Sequence, residues 1–475
     1  MKYKEMVHRI FGRVSRIWRD PSLFLVAVIG PISLFMLIIT PPFQAPDEHT
    51  HFLKAVQLSE GRVVGKFLGV LPGYPLPLVG DLLPAKYKIT SDHYIGLRVH
   101  LNKKADVKQI RTDFSHPATD TRRIPTPFEN TVVYPPLAYL PQALVIAVVN
   151  VFNKTPLVQL YAARIVVLAV SLLLLFLAVR RIPFGKWALV ALVATPMSLL
   201  LMGSCAGDAM TMGLGALFIA HVLAATVKRE KLSRTDIVWL GALAVALGCC
   251  KSPYQLLVLF VLAVPSARFV SRRSYYKTLA ATILVPLLVA GLWALLVKKL
   301  YLNIVIDSDT AYQTQYVLHH PLNFIHVLLS TYFGAAGDYT VRGFIDLSAG
   351  PSAPLPLWFV VADLLLIAML ITQEPVRQSI VRRLKCVRFV ALAVLALVFM
   401  MLNTLLYITF TPVTKPLIDG MQGRYFIPIS YLLVPLLGGV QRTDEARYVR
   451  LLSVFRCFVV FTALVTYLAL LRRYY

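Results

Sequence analysis

Runs of about 18 or more apolar residues recur along this 475-residue chain, among them residues 22–40, 157–179, 279–297, 355–371 and 387–410. That is the length needed to cross roughly 30 Å of hydrocarbon. A soluble core of this size has no room for so many of them. Composition agrees: 15% of the residues are charged, against about 25% in soluble domains. The sequence therefore reads as an all-α polytopic membrane protein, a single transmembrane domain over residues 1–475.

The formal net charge of +25 does not point to nucleic acid. Lys and Arg fall in short clusters between apolar runs, as the positive-inside rule requires of cytoplasmic loops, and no aromatic-interleaved basic stripe is present. The five cysteines form no CxxC pair. Cys205, Cys249, Cys250 and Cys457 lie in or beside apolar runs, as small packing residues do. A basic amphipathic segment with Lys2, Lys4, Arg9, Arg13, Arg16 and Arg19 precedes the first apolar run. That run ends at Pro41-Pro42 without a small-residue cleavage site, the pattern of a signal anchor.

With the amino terminus in the cytoplasm, about eleven spans are expected, at residues 22–40, 157–179, 187–203, 209–227, 237–250, 254–270, 279–297, 355–371, 387–410, 426–440 and 451–471. The cytoplasmic connections are then 180–186, 228–234, 268–277, 377–388 and 442–450, all of them basic. Residues 41–156 become a large first external loop with short interfacial helices, and 298–354 a second long external loop. The apolar stretch 136–151 is expected to lie at or re-enter the interface, because a crossing there would invert the charge rule for every later loop.

In this arrangement the ionisable residues near membrane depth collect on the outer side: Asp47, Glu48, His49, His51, Asp208, Lys251, Asp338, Asp346 and Arg424. Such groups are costly in a membrane and mark candidate sites. Pro41, Pro42 and Pro46 stop the first helix just before Asp-Glu-His-Thr-His51. Asp47 and His51 share a face of the next one, so Asp47 is either a general base beside an imidazole or an N-cap with Glu48 in the first turn. In Gln422-Gly-Arg-Tyr-Phe-Ile-Pro428, Gly423 permits close approach. Arg424 offers a fork of donors for phosphate oxygens, or an interfacial anchor with Tyr425. Lys251 is a phosphate contact or a snorkelling lysine, and Asp208 with Ser204 a helix-end hydrogen bond or part of the site. Tyr134-Pro-Pro-Leu-Ala-Tyr139 is a rigid loop that docks an aromatic helix. His319, His320 and His326 lack metal-ligand spacing with a carboxylate.

The string Pro41-Pro-Phe-Gln-Ala-Pro-Asp-Glu-His-Thr-His-Phe52, with Gln422-Gly-Arg-Tyr-Phe-Ile-Pro428 far downstream, resembles the bacterial membrane family called domain of unknown function 2142. The resemblance runs from the first span to about residue 440. More widely, the order of features is similar to the GT-C superfamily of polytopic glycosyltransferases, which includes aminoarabinose transferases and protein mannosyltransferases. Those proteins carry an Asp-Glu pair in the first external loop and a Pro-Pro-Leu-x-Tyr-like segment before an external helix. An Ala-x-x-Arg-like step follows (Ala162, Ala163, Arg164 here), then a Ser-x-x-x-Asp (Ser204, Asp208). One departure is visible: Val133-Tyr134 precedes the Pro-Pro-Leu string where many relatives have Lys, which leaves phosphate contact to Lys251 or Arg424.

This resemblance implies transfer of a sugar from a polyprenyl-phosphate donor to a cell-envelope glycan or lipid-linked acceptor, on the outer face of a bacterial inner membrane. Asp47 is then the base and His51 orients it, while Glu48 positions the acceptor or a divalent metal ion. Lys251 and Arg424 hold the donor phosphate. Tyr134, Asp208, Gln422 and Tyr425 are candidates for substrate contact, and the spans form a groove for the polyprenyl tail among membrane lipids. A lipid-linked-sugar transporter or flippase, a glycan polymerase or ligase, and a structural subunit are the alternatives. A transporter is expected to carry charges near the midplane of broken helices.

Overall fold

A computed structural model describes residues 15–116, 120–303, 305–348, 352–413, 415–441 and 444–475. Lys2, Lys4, Arg9 and Arg13 of the expected signal anchor, and Arg442 at the head of the last basic connection, lie outside the described residues. The chain is mostly helical, and six of its described helices are long and apolar enough to cross a membrane. They are Pro21–Ile39, Pro156–Arg181, Asp208–Val227, Arg272–Leu296, Leu384–Phe410 and Glu445–Tyr474.

The other five expected spans take shorter or broken forms. Residues 187–203 divide into helices Lys186–Val193 and Pro196–Met202; Pro196 has no N–H to continue the ladder, and Thr195 caps the second piece by accepting from Ser198 N at 3.3 Å. Residues 237–250 form a 15-residue helix, Arg234–Gly248, about 22 Å long at 1.5 Å per residue. Within 254–270 a 3₁₀ segment spans Tyr254–Ala263, about 20 Å at its steeper rise, and stops short of Pro265. Residues 355–371 form Leu357–Thr372. Residues 426–440 break into Ile427–Ser430 and Leu433–Leu437, each containing a proline. Pro136–Val151 is likewise a short apolar helix.

Asp208–Val227 is the central element and is buried over most of its length. Arg272–Leu296 lies outermost and is buried at few positions, and Leu284, Leu288, Leu292 and Leu295 form an exposed stripe along it. An apolar face of that extent suits lipid rather than water.

The basic connections meet at one end of the bundle. Asp236 binds Arg181 and Lys228, each at 2.8 Å. Leu232 N donates to Arg268 O, and Arg383 Nη1 to Val227 O. Arg180 approaches Asp20 at the start of the first helix. The first helix leaves this end and Asp208–Val227 enters it, so Asp47 and Asp208 lie at the other end. Lys251 joins them there, because Arg234–Gly248 starts at the basic end.

The first long loop holds a folded unit that departs from an all-α fold. Strands β1 (Lys66–Gly69), β2 (Leu78–Pro84) and β3 (Arg123–Pro127) form an antiparallel sheet in the order β1-β2-β3. Gly80 faces Pro127 across β2 and β3, and a Cβ there would lie 2.0 Å from Thr126 O. Asp81 on β2 is fully buried and accepts from Gln57 and Arg62. Those contacts fix the sheet to helix Glu48–Ser59, which carries the Asp-Glu-His motif. Lys54 on that helix is buried too, and donates to Gln57 Oε1, Val63 O and Val132 O. In the second long loop, helices Thr310–His319, Pro321–Phe333 and Ala335–Ile345 follow one another.

Candidate functional site

Asp47 occupies the N-cap position of helix Glu48–Ser59, but its side chain caps nothing. Its backbone is left-handed, φ 52° and ψ 18°, a conformation that costs a non-glycine residue roughly 1–2 kcal/mol. The expected N-cap is therefore replaced by a long-range ion pair: Arg424 Nη2 donates to Asp47 Oδ2 at 2.6 Å. Strained backbone of this kind persists where the surroundings over-determine it.

Arg424 uses each of its nitrogens. Nε donates to Gln422 Oε1 at 2.6 Å and Nη1 to Asp208 Oδ2 at 2.9 Å. The guanidinium also lies 5.0 Å from the Tyr425 ring centre. Gly423 makes this possible, since its backbone presses on helix Ala335–Ile345. A Cβ at 423 would lie 2.0 Å from Thr340 O and 2.2 Å from Phe344 N.

Lys251 closes the network. Its ammonium is 3.5 Å from Asp208 Oδ1 and sits over the rings of Tyr134 and Tyr425, at 5.2 and 4.9 Å. Tyr254 fixes the second ring's backbone by donating to Tyr425 O at 2.7 Å. Burial opposes charge on Lys251, but Asp208, Tyr134 and Tyr425 together outweigh it and raise the ammonium pKa. Burial also opposes charge on Arg424, and Tyr425, Asp47 and Asp208 outweigh it. Two carboxylates thus face two cations. The side chain of Arg424 is 1% exposed and that of Asp208 10%, against 15% for Lys251 and 24% for Asp47. The most exposed members of the network are therefore Asp47 and, by a small margin over Asp208, Lys251.

His51 lies one turn along the helix, and its backbone N–H donates to Asp47 O. Its ring stacks near Tyr134 and Tyr139, and Nδ1 is 2.7 Å from Tyr139 Oη. Burial pushes its pKa down to about 4, so the imidazole is neutral at pH 7. The side-chain partner of Nδ1 is Tyr139 rather than the Asp47 carboxylate that His51 was expected to orient.

Glu48 points away from this network. Its carboxylate is fully buried and takes Arg164 Nε at 2.8 Å, Arg164 Nη2 at 2.5 Å and Cys205 N at 3.0 Å. Arg164 also donates to the carbonyls of Leu37, Thr40 and Pro41. The pair ties three spanning segments together where the first helix ends, which commits both oxygens of Glu48 to the framework. Asp47 and Asp208 also face Arg or Lys nitrogens, so the arrangement does not fit a resident divalent ion. Among the described residues no group of three or more His, Cys, Asp or Glu is placed to hold a metal.

Asp338 and Asp346 stand apart from this cluster. Asp338 pairs with Arg342, and Asp346 closes a turn with Ser348 and Leu355. The sequence reading missed Asp363, a 95%-buried carboxylate within Leu357–Thr372 whose Oδ2 has no hydrogen-bond partner. It also missed that Arg164 pairs with Glu48. An ionisable residue inside an apolar run is the signal for both.

Residues 32–433 match the family model described as a predicted membrane protein, DUF2142. The chain belongs to that family. No curated protein and no solved structure matches the chain.

Proposed function

We propose that this DUF2142 protein is an inverting membrane glycosyltransferase that uses a polyprenyl-phosphate sugar, with its site on the outer face of a bacterial inner membrane and a GT-C-like fold. One observation carries the reading: a carboxylate and an ammonium, Asp47 and Lys251, are the most exposed members of a buried ion network at one end of the bundle. Transfer from a lipid phosphate needs that pair. Asp47 takes the proton of the acceptor hydroxyl as its oxygen bonds to the anomeric carbon. The bond from that carbon to the phosphate oxygen breaks, and the lipid phosphate leaves with the electron pair. Lys251 stabilises the negative charge that grows there.

The sequence offers Arg424 as a phosphate ligand. Its buried guanidinium already binds Gln422, Asp208 and Asp47, so in this mechanism it positions Asp47. Glu48 and Arg164 are assigned to the framework. The Tyr134 and Tyr425 rings hold Lys251 in place, and exposed apolar faces such as that of Arg272–Leu296 suit the polyprenyl tail.

Movement of a lipid-linked sugar across the membrane is the second reading. Asp363 favours it, as a buried carboxylate inside an apolar helix of a bundle that also contains broken helices.

The test is label transfer from a panel of radiolabelled polyprenyl-phosphate sugars into native membranes, with and without the protein. Label that enters an acceptor only when the protein is present supports transfer. No incorporation across the whole panel, alongside protein-dependent flipping of a labelled lipid-linked sugar in proteoliposomes, would favour the second reading.

A further inference from the structure

Helices Thr310–His319 and Pro321–Phe333 enclose a cavity of about 300 Å³ with the end of Leu384–Phe410 and residues 415–416. That volume is at the small end of ligand pockets. The cavity is separate from the ion network but not remote in the chain. Lys415 and Pro416 on its wall precede Arg424 on one connection, and the following helix, Ala335–Ile345, supports Gly423.

Its lining combines rings with hydrogen-bonding groups. Tyr312 and Tyr316 are one turn apart, with ring centres 6.5 Å apart and planes 17° from parallel. Tyr407 extends this surface, 6.4 Å from Tyr316. Asn323 and His326 face the cavity from the next helix. Gln313 is fully buried on its wall. Its Nε2 donates to the carbonyls of Tyr407, Thr411 and Pro412, which fixes the amide orientation, and its Oε1 is left with no partner. A buried acceptor in that condition costs about 1–3 kcal/mol.

Charge narrows the ligand class. Lys415 is paired with Asp419 at 2.5 and 2.7 Å, so the wall is not a phosphate trap. A platform of aromatic faces, whose π-clouds attract the weakly positive C–H face of a ring, bordered by amide and imidazole groups, suits a neutral polyhydroxylated ring.

We propose that this cavity binds a neutral sugar residue on the acceptor side of the reaction, held on Tyr312 and Tyr316 with hydroxyls toward Asn323 and His326. The acceptor assignment rests on the transfer reading above; the binding does not.

Saturation-transfer NMR tests it with the full chain in nanodiscs free of glycoside detergent. The probes are methyl glycosides of glucose, galactose, mannose and rhamnose and their disaccharides. We expect saturation of the ring protons of at least one probe, at least fivefold weaker in Tyr312→Ala and Asn323→Ala and unchanged in Asp47→Asn. Tyr312 is 49% exposed, so its truncation does not threaten the fold. No saturation from any probe, or saturation in both variants equal to that of the wild type, overturns the proposal. Saturation without sugar transfer in any assay removes the acceptor assignment and leaves the binding site. Transfer with a wild-type acceptor KM in Tyr312→Ala, and no saturation, removes the site and leaves the transfer reading.

Discussion

Replacing Glu48 by Gln separates framework from chemistry. The substitution keeps the shape of the side chain and removes its charge, which leaves the Arg164 guanidinium, 1% exposed, without a counter-charge. Arg164 keeps its three carbonyl acceptors, so the loss is that of the ionic partner and not of every hydrogen bond. Removing one member of a buried pair costs about 3–5 kcal/mol, and the substituted amide retains one acceptor oxygen, which places the expected loss near the lower figure. Equilibrium denaturant unfolding of the purified chain in mixed micelles measures it. Glu48→Gln with Arg164→Met is expected to be more stable than the sum of the single losses predicts, because no charge then remains unpaired. Wild-type stability in Glu48→Gln together with abolished turnover would refute the framework assignment and return Glu48 to the chemistry.

Gly423→Ala forces a Cβ onto the backbone of residues 340–344, and overpacking of that kind costs about 1–3 kcal/mol. It should also displace Arg424, so activity is expected to fall further than stability; unchanged thermal unfolding would refute the contact. The depressed His51 pKa sets a pH dependence. Above the ordinary value of 6.5 the imidazole is neutral in both folded and unfolded chains, and its contribution is fully present. As pH falls from 6.5 toward about 4, the unfolded chain takes up the proton first, and on the order of 3 kcal/mol is lost. His51→Gln should flatten that part of the stability profile, and an unaltered slope would contradict the burial. Lys251→Gln removes the more exposed cation, so the rate should fall at least about tenfold at saturating donor. A change confined to acceptor KM would place Lys251 elsewhere.

Much of this architecture is legible in the sequence because hydropathy and charge act locally. The six continuous spans follow from apolar runs long enough to cross hydrocarbon, and the basic connections meet at one end, as the charge rule leads one to expect. Helix alternation alone then brings Asp47, Asp208, Lys251 and Arg424 to the opposite end. Pairing is another matter. Whether Asp47 caps its own helix or reaches Arg424, 377 residues away, depends on packing that no local pattern encodes. Glu48 and Arg164, 116 residues apart, pose the same problem. The sheet escaped notice because β2 and β3 are separated by two helices, and because strands rich in Gly and Pro carry little alternation. Prolines within residues 187–203 and 426–440 were visible, yet hydropathy weighs them as apolar and hides the breaks they cause.

The most direct test of the account is the kinetic comparison of wild type with Asp47→Asn at matched folding, using a donor that supports transfer. Asn keeps the hydrogen bond from Arg424 but cannot take a proton at neutral pH. With Asp47 as the base, kcat is expected to fall at least about a hundredfold, with donor KM little changed. A kcat within a few fold of wild type would contradict that role and move the base away from Asp47.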